Sequence, residues 1–147
     1  MKREIELEAR VENLGRIRDF LEEACGEAGV GHSETHGLKV AVDEACSNVI
    51  EHGYAGRGPG RLAVAFQADA GRIAVTIGDR GRPFDPARAP AADTDTNWEK
   101  RPVGGLGWHL IRQLVDEIRY DSNPETGNRL TLVKKRAAED TEKSREG

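Results

Sequence analysis

The sequence predicts a single two-layer α/β domain, with helices packed against one face of a sheet. Three segments alternate apolar and polar residues as half-buried strands do, at 5–11, 62–66 and 73–77. Three further segments repeat apolar residues at helical spacing, at 13–29, 34–51 and 104–120. Helices with one apolar stripe and strands with one apolar face bury both by packing as two layers.

The first strand leads into two consecutive helices. The first helix is predicted to end near Gly26 and Gly29, because glycine is frequent at helix C-termini. The second helix is predicted to end at Gly53 for the same reason. Its apolar stripe consists of Leu38, Val42, Ala45 and Val49.

Two strands, a long irregular segment, a third helix and a last strand complete the predicted order. The turn "DAGR" joins the two strands as a hairpin, and the last strand is "LTLVKK". Between Arg82 and Val103 no periodicity remains, and a loop of this length in a small domain is either functional or misassigned. We expect one domain over residues 1–136 and a charged, disordered tail over 137–147.

Composition excludes several classes of protein. The net charge of −4 gives no reason to expect nucleic-acid binding. No apolar run approaches the roughly 18 residues of a membrane span, and the charged N-terminus does not resemble a signal peptide. The two cysteines, Cys25 and Cys46, lie in apolar helical settings and are expected to be reduced. A cytoplasmic protein is therefore expected, with no membrane partner.

Polar or glycine-rich residues interrupt this scaffold at three points. Glu44 and Asn48 lie one turn apart on the second helix. Asp79 ends an apolar strand and precedes Gly81. The third point is the glycine cluster at 104, 105 and 107, where the third helix begins. Taken singly, the Glu44/Asn48 pair is more often a solvated helix face and the glycine cluster more often a loop-to-helix turn. Asp79 alone is as often a strand-end turn former as a ligand contact.

Together the three points indicate a nucleotide site. Backbone N–H groups at a glycine-rich helix N-terminus attract anions, and phosphate is the obvious anion. The side-chain oxygen of Asn48 could bind Mg²⁺, which prefers oxygen ligands. Glu44, one turn away, could then accept a proton from an attacking hydroxyl or water.

The same residues resemble the ATP-binding superfamily of gyrase, heat-shock chaperones, histidine kinases and mismatch-repair ATPases. The N box of that superfamily is similar to "DEACSNVIEHGY", and its two glycine boxes are similar to "DRGRPFDP" and "GGLGWHLI". The "EHGY" ending and the run into "GNRLTLVKK" are typical of the RsbW-type anti-sigma-factor serine/threonine kinases. This resemblance implies a Bergerat-type fold, whose mixed, mostly antiparallel sheet carries helices on one face.

The resemblance also implies residue roles and ligands. Glu44 would be the catalytic base and Asn48 the Mg²⁺ ligand at the ATP site. Asp79 would accept the adenine amino group, and Gly81 would let the base approach. The remaining ATP-binding positions are Gly104, Gly105, Leu106, Gly107 and Arg101. A lysine or arginine in the 82–103 lid would reach the γ-phosphate, although Arg101 could equally be a solvated charge.

The implied function is an ATP-dependent serine/threonine kinase that phosphorylates a STAS-type anti-sigma-factor antagonist. When free, such a kinase would also sequester a sigma factor, and the resemblance further implies a homodimer. Two alternatives stay open: a nucleotide-gated binding module without phosphoryl transfer, and a detached histidine-kinase catalytic domain. Asn128 stands where other branches often have Thr, which leaves its part in adenine recognition open.

Overall fold

The computed structural model of the chain describes residues 1–54, 58, 60–83 and 105–136, with only the backbone described at 105 and 106. The predicted tail at 137–147, and all of the predicted lid except Arg82 and Pro83, lie outside the described residues. The five strands are β1 (Lys2–Glu8), β2 (Arg61–Ala68), β3 (Arg72–Asp79), β4 (Glu117–Asn123) and β5 (Gly127–Lys135). The three α-helices are α1 (Leu14–Glu27), α2 (His32–Asn48) and α3 (Gly105–Leu114).

The strands form one sheet in the order β1-β2-β3-β5-β4. All four pairings described are antiparallel, which agrees with the mostly antiparallel sheet that the family resemblance implies. The central strand β3 has β2 on one side and β5 on the other. Its register with β5 sets Asp79 directly opposite Asn128.

All described helices cover the same face of the sheet, as predicted. On this face β3 buries Ile73, Val75 and Ile77 completely, and β2 buries alternate residues in the same way. Helix α2 lies between α1 and α3 and contacts β3 and β5. Burying this apolar surface is the main term that stabilises the two layers.

The predicted boundaries hold for α1 and differ for the other two helices. Helix α2 continues beyond Asn48 as one turn of π-helix, Val49–Gly53, and Gly53 is its last residue. This wider turn rotates the residues that follow Asn48 relative to a regular helix. No helix among the described residues is long and apolar enough to cross a membrane.

The prediction of a helix over 104–120 is wrong in its second half. Helix α3 ends at Leu114, and the chain turns at Val115 and Asp116 into strand β4. Ile118 fits a helical stripe because it follows Leu114 by four residues. However, Ile118 and Tyr120 also alternate with charged residues, and pairing with β5 selects the strand.

Candidate functional site

A cavity of about 190 Å³ lies where the end of α2 meets the ends of β3 and β5. Apolar side chains form much of its wall and a few polar side chains complete it, a composition common among small-molecule sites. The wall is lined by Ala45, Asn48, Val49, His52, Gly53, Ile77, Asp79, Arg82, Pro83, Trp108, Tyr120, Asn128 and Leu130.

Four residues at the strand ends, Asp79, Gly81, Ser122 and Asn128, form a connected group that we call the Asp79 corner. The Oδ1 atom of Asp79 accepts hydrogen bonds from the Gly81 N–H at 2.8 Å and from Asn128 Nδ2 at 2.9 Å. Asn128 Nδ2 also donates to the Gly81 carbonyl at 2.9 Å, and Ser122 Oγ donates to Asn128 Oδ1 at 2.6 Å. The corner therefore holds one oxygen of Asp79 in place.

The second carboxylate oxygen of Asp79, Oδ2, accepts no hydrogen bond from the described residues. Burial raises the pKa of Asp79, whereas the hydrogen bonds from Asn128 and Gly81 lower it. These two donors offset part of the cost of a half-buried negative charge. Asp79 can thus offer Oδ2 as an acceptor to a ligand in the cavity.

Gly81 brings the chain after β3 into close contact with the end of α2. A Cβ atom at this position would lie 2.5 Å from the Gly53 carbonyl oxygen, and the Arg82 N–H donates to that same oxygen at 2.7 Å. Tyr54 adds a second contact, because its hydroxyl accepts a hydrogen bond from the Arg80 N–H at 2.8 Å. The backbone around Asp79 is consequently anchored to the end of α2.

At the other end of the site, Glu44 and Asn48 of α2 lie beside Gly107 in the first turn of α3; we call these three residues the Glu44 end. A Cβ atom on Gly107 would lie 2.9 Å from Glu44 Oε2 and 3.7 Å from Asn48 Nδ2. Glycine therefore allows the Glu44 carboxylate to lie this close to the N-terminus of α3. Burial, followed by the charges of Asp43 and Glu51, raises the pKa of Glu44.

This combination of fold and site matches a known family. The sequence model of the family described as "Histidine kinase-like ATPase domain" matches residues 7–134. The chain belongs to this family. Its curated relatives include a serine-protein kinase RsbW from Bacillus pumilus, 32% identical over 127 residues, which cover 82% of this chain and 78% of the relative. The RsbW of Bacillus subtilis is 30% identical over 125 residues, with the same coverage.

Solved structures agree with this membership. The crystal structure of the RsbU and RsbW domains of a Mycobacterium tuberculosis protein is similar, with a TM-score of 0.66 and 25% identity. The match covers 94% of this chain and 34% of that chain. A histidine kinase domain from Erythrobacter litoralis shares the fold, with a TM-score of 0.53. The predicted membership of the RsbW-type branch is confirmed, and the chain is a protein kinase that uses ATP.

The amide of Asn48 fits the predicted metal ligand of this kinase. Its Nδ2 atom is buried and has no hydrogen-bond partner in the part of the chain that the structure describes. Amide nitrogen and oxygen are assigned from hydrogen bonds, and none fixes the assignment here, so the oxygen can take either position. An oxygen donor beside a carboxylate and a helix N-terminus suits Mg²⁺ between protein and phosphates.

The structure brings most of the predicted site residues together around the cavity. Asn48 and Asp79 line the cavity; Glu44 and Gly107 lie beside Asn48, and Gly81 lies beside Asp79. The backbone of Gly105 and Leu106 begins α3, as predicted, and nothing is described of their side chains. Gly104 and Arg101 lie outside the described residues. The roles of all these residues in ATP binding and catalysis stay predictions.

Sequence reasoning missed Ser122 and Tyr54, and it left Asn128 without a role. Ser122 lies in β4 opposite Asn128, in a strand that the sequence pattern did not predict. The signal for Asn128 was its position after a glycine at the start of a strand that pairs with β3. Tyr54 was visible as the last letter of the "EHGY" motif, but its contacts with Arg61 and Arg80 depend on tertiary structure.

Proposed function

We propose that this kinase phosphorylates a serine or threonine of a STAS-type anti-sigma-factor antagonist, using Mg²⁺ and ATP. When it is not engaged with that substrate, it binds and sequesters a sigma factor. The observation that carries the catalytic part is the spacing of the site: Glu44 and Asn48 border the α3 N-terminus, and Asp79 closes the far side of the same cavity. A nucleotide spanning the cavity would have its base at Asp79 and its phosphates at Glu44.

Each side chain then has a defined task in phosphoryl transfer. Asp79 accepts the adenine amino group on Oδ2, and the backbone N–H groups at the start of α3 bind phosphate oxygens. Asn48 would hold Mg²⁺, which neutralises the charge that develops on the phosphates when it is bound there. The raised pKa of Glu44 suits a carboxylate that accepts a proton near neutral pH.

The reaction is a simple displacement. The substrate hydroxyl gives its proton to Glu44 as its oxygen forms a bond to the γ-phosphorus. The bond between that phosphorus and the bridging oxygen breaks, and ADP leaves with the electron pair. Gly107 lets the Glu44 carboxylate lie against the N-terminus of α3, where the phosphates would bind.

The direct test is incubation of the protein with ATP labelled on the γ-phosphate and a purified STAS-type substrate. We expect label on the substrate, loss of labelling with EDTA, and loss of labelling when the acceptor serine is replaced by alanine. Binding of ATP and substrate without any transfer would instead favour a nucleotide-gated binding module. Competition between the STAS protein and a sigma factor for the same kinase tests the sequestering role.

Two further proposals rest on the family resemblance. The kinase acts as a homodimer, and it works in the cytoplasm, where ATP and sigma factors are available. Sedimentation at micromolar concentration checks the first proposal, since a monomer at that concentration would contradict it. Fractionation of the source cells checks the second.

A further inference from the structure

Asn128 is a buried polar side chain whose whole amide is committed to the Asp79 corner. It is 5% exposed and is one of only two polar residues that are buried in the described part of the chain. Its Nδ2 atom has two hydrogens, and these go to Asp79 Oδ1 and to the Gly81 carbonyl, both at 2.9 Å. A buried amide with every hydrogen used can hold its neighbours in one arrangement only.

The orientation of this amide follows from its partners. Asp79 Oδ1 and the Gly81 carbonyl are both acceptors, so the NH₂ group must face them. The amide oxygen then faces β4, where Ser122 Oγ donates to it at 2.6 Å. Ser122 therefore stabilises the amide in the orientation that donates to Asp79.

This arrangement determines what Asp79 can offer to a ligand. Two donors, the Gly81 N–H and Asn128 Nδ2, occupy Oδ1. They also stabilise the ionised carboxylate, which accepts hydrogen bonds and donates none. Oδ2 is left as a pure acceptor, so a base with an amino group at this point is bound. A base with a carbonyl at this point would place its oxygen, an acceptor, next to the acceptor Oδ2 of Asp79, so it is rejected.

We propose that Asn128, oriented by Ser122, is a positioning residue that makes the site select a 6-amino purine over a 6-oxo purine. The inference rests on the proposed nucleotide function of Asp79. It adds that hydrogen bonding by Asn128 and Ser122 keeps this carboxylate an acceptor. It assigns Asn128 no direct contact with the reacting atoms.

The substitution Asn128→Asp tests this arrangement because it replaces the NH₂ group with an oxygen and hardly changes the side-chain volume. A second carboxylate next to Asp79 cannot ionise freely, since two like charges at one site raise one pKa and share a proton. The shared proton gives the site an O–H donor, which can pair with a base carbonyl. Selectivity between the two kinds of base should therefore collapse while the cavity keeps its shape.

The experiment compares ATP with inosine triphosphate, which carries a carbonyl in place of the 6-amino group. Calorimetric affinities are measured for the wild type and for variants of known melting temperature. We expect Asn128→Asp to lower the ATP preference by about 10- to 100-fold, the range for a hydrogen bond to a charged group. Ser122→Ala should lower it by about 2- to 10-fold, and Ser122→Thr, which keeps the hydroxyl, should retain it.

The matched control is Thr131→Val. Thr131 lies on β5 like Asn128, but its side chain is on the opposite face of the sheet. The valine variant loses one side-chain hydrogen bond, between Thr131 Oγ1 and Thr76 Oγ1 at 3.0 Å. It should leave the ATP preference unchanged, which separates a local effect from a general loss of stability.

The outcomes distinguish this inference from the proposed function. A wild type that binds both triphosphates equally would overturn the role of Asp79 and the inference together. A selective wild type whose Asn128 and Ser122 variants select equally well would overturn the inference alone. If Asn128→Asp fails to fold, the Ser122→Ala and Ser122→Thr pair decides, because Ser122 is exposed and lies at the sheet edge.

Discussion

The Asp79 corner and the Glu44 end differ in how far the protein satisfies its own polar atoms. In the Asp79 corner, four hydrogen bonds of 2.6–2.9 Å connect Asp79, Gly81, Ser122 and Asn128. At the Glu44 end, the amide nitrogen of Asn48 is buried without a partner among the described residues. Glu44 has no hydrogen bond to a described residue either, and burial raises its pKa.

This difference indicates two kinds of site within one cavity. A fully bonded corner is preorganised, so it binds its ligand without reordering and distinguishes ligands by their donors and acceptors. An end with an unsatisfied amide and a carboxylate of raised pKa favours ligands that bring cations and protons to it. Under the proposed function, the Asp79 corner would recognise the base, and chemistry at the Glu44 end would depend on the groups that the nucleotide and substrate supply.

The largest expected effect separates chemistry from recognition. Glu44→Gln should lower phosphoryl transfer about 10²- to 10⁴-fold, the range for loss of a general base, and leave ATP affinity nearly unchanged. Labelled transfer and calorimetry measure the two quantities. Glu22→Gln is the matched control, because Glu22 on α1 accepts a hydrogen bond from Lys39 at 2.8 Å and does not line the cavity. Undiminished turnover without the Glu44 carboxylate would remove it from the mechanism.

In the Asp79 corner we expect the opposite result, a loss of ATP affinity with little change in the transfer rate. Asp79→Asn should weaken ATP binding about 10- to 100-fold, because an amide NH₂ replaces the oxygen that accepts the base's amino group. At saturating ATP the transfer rate should recover. Asp69→Asn serves as the control, since Asp69 accepts two backbone N–H bonds in the β2–β3 turn, away from the cavity. Equal affinities for the wild type and Asp79→Asn would contradict the recognition role.

A third prediction concerns stability rather than activity. Gly81→Ala would force a Cβ atom to 2.5 Å from the Gly53 carbonyl oxygen, and overpacking of this kind costs about 1–3 kcal/mol. The comparison is Gly26→Ala in α1, where the added Cβ atom would meet no neighbouring atom within 4 Å. This substitution should stabilise the folded protein by about 0.5–1 kcal/mol. The melting temperature should therefore fall for Gly81→Ala and rise for Gly26→Ala.

A smaller loss of stability is expected from Tyr54→Phe. The Tyr54 hydroxyl bonds the Arg80 N–H and the Arg61 carbonyl, both at 2.8 Å, so its removal should cost about 1–2 kcal/mol of unfolding free energy. Because Arg80 adjoins Asp79, ATP affinity should fall slightly as well. Thr76→Val, which also loses one hydrogen bond, should not change ATP affinity.

The smallest expected effect is a shift in pH dependence. Glu44 must be ionised to act as a base, so the transfer rate should rise as pH climbs through its raised pKa and fall below it. Burial and the charge of Asp43 raise the pKa of Glu44, and the charge of Glu51 adds to them. Glu51→Gln should therefore move the acid limb of the rate profile to lower pH by a small amount. A limb that moves to higher pH would show that another group controls it.

The parts of the fold that were predictable are those set by local pattern. Apolar periodicity predicts α1, α2, the β2–β3 hairpin and β5, because each buries one face in a regular repeat. Helix α3 was overextended into β4 because Leu114 and Ile118 fit a helical period and Ile118 and Tyr120 fit a strand period. Only the hydrogen bonds with β5 decide between the two.

The same contrast applies to the site. Glu44, Asn48 and the glycines at 81 and 107 follow from motifs, since their residue types and spacing already imply chemistry. Asn128 and Ser122 do not, because an amide and a hydroxyl in strands are ordinary until their partners are known. Long-range pairing between β3, β4 and β5 creates the Asp79 corner, and a linear pattern cannot encode that pairing.

The two cysteines give the protein an internal reporter of helix opening. Cys25 and Cys46 are completely buried, and burial raises the pKa of both thiols. Because thiolate is the reactive form, alkylating reagents should reach them only when the helical layer opens. Cys46 lies on α2 between Glu44 and Asn48, so its rate of alkylation measures how often the helix that carries both side chains separates from the sheet.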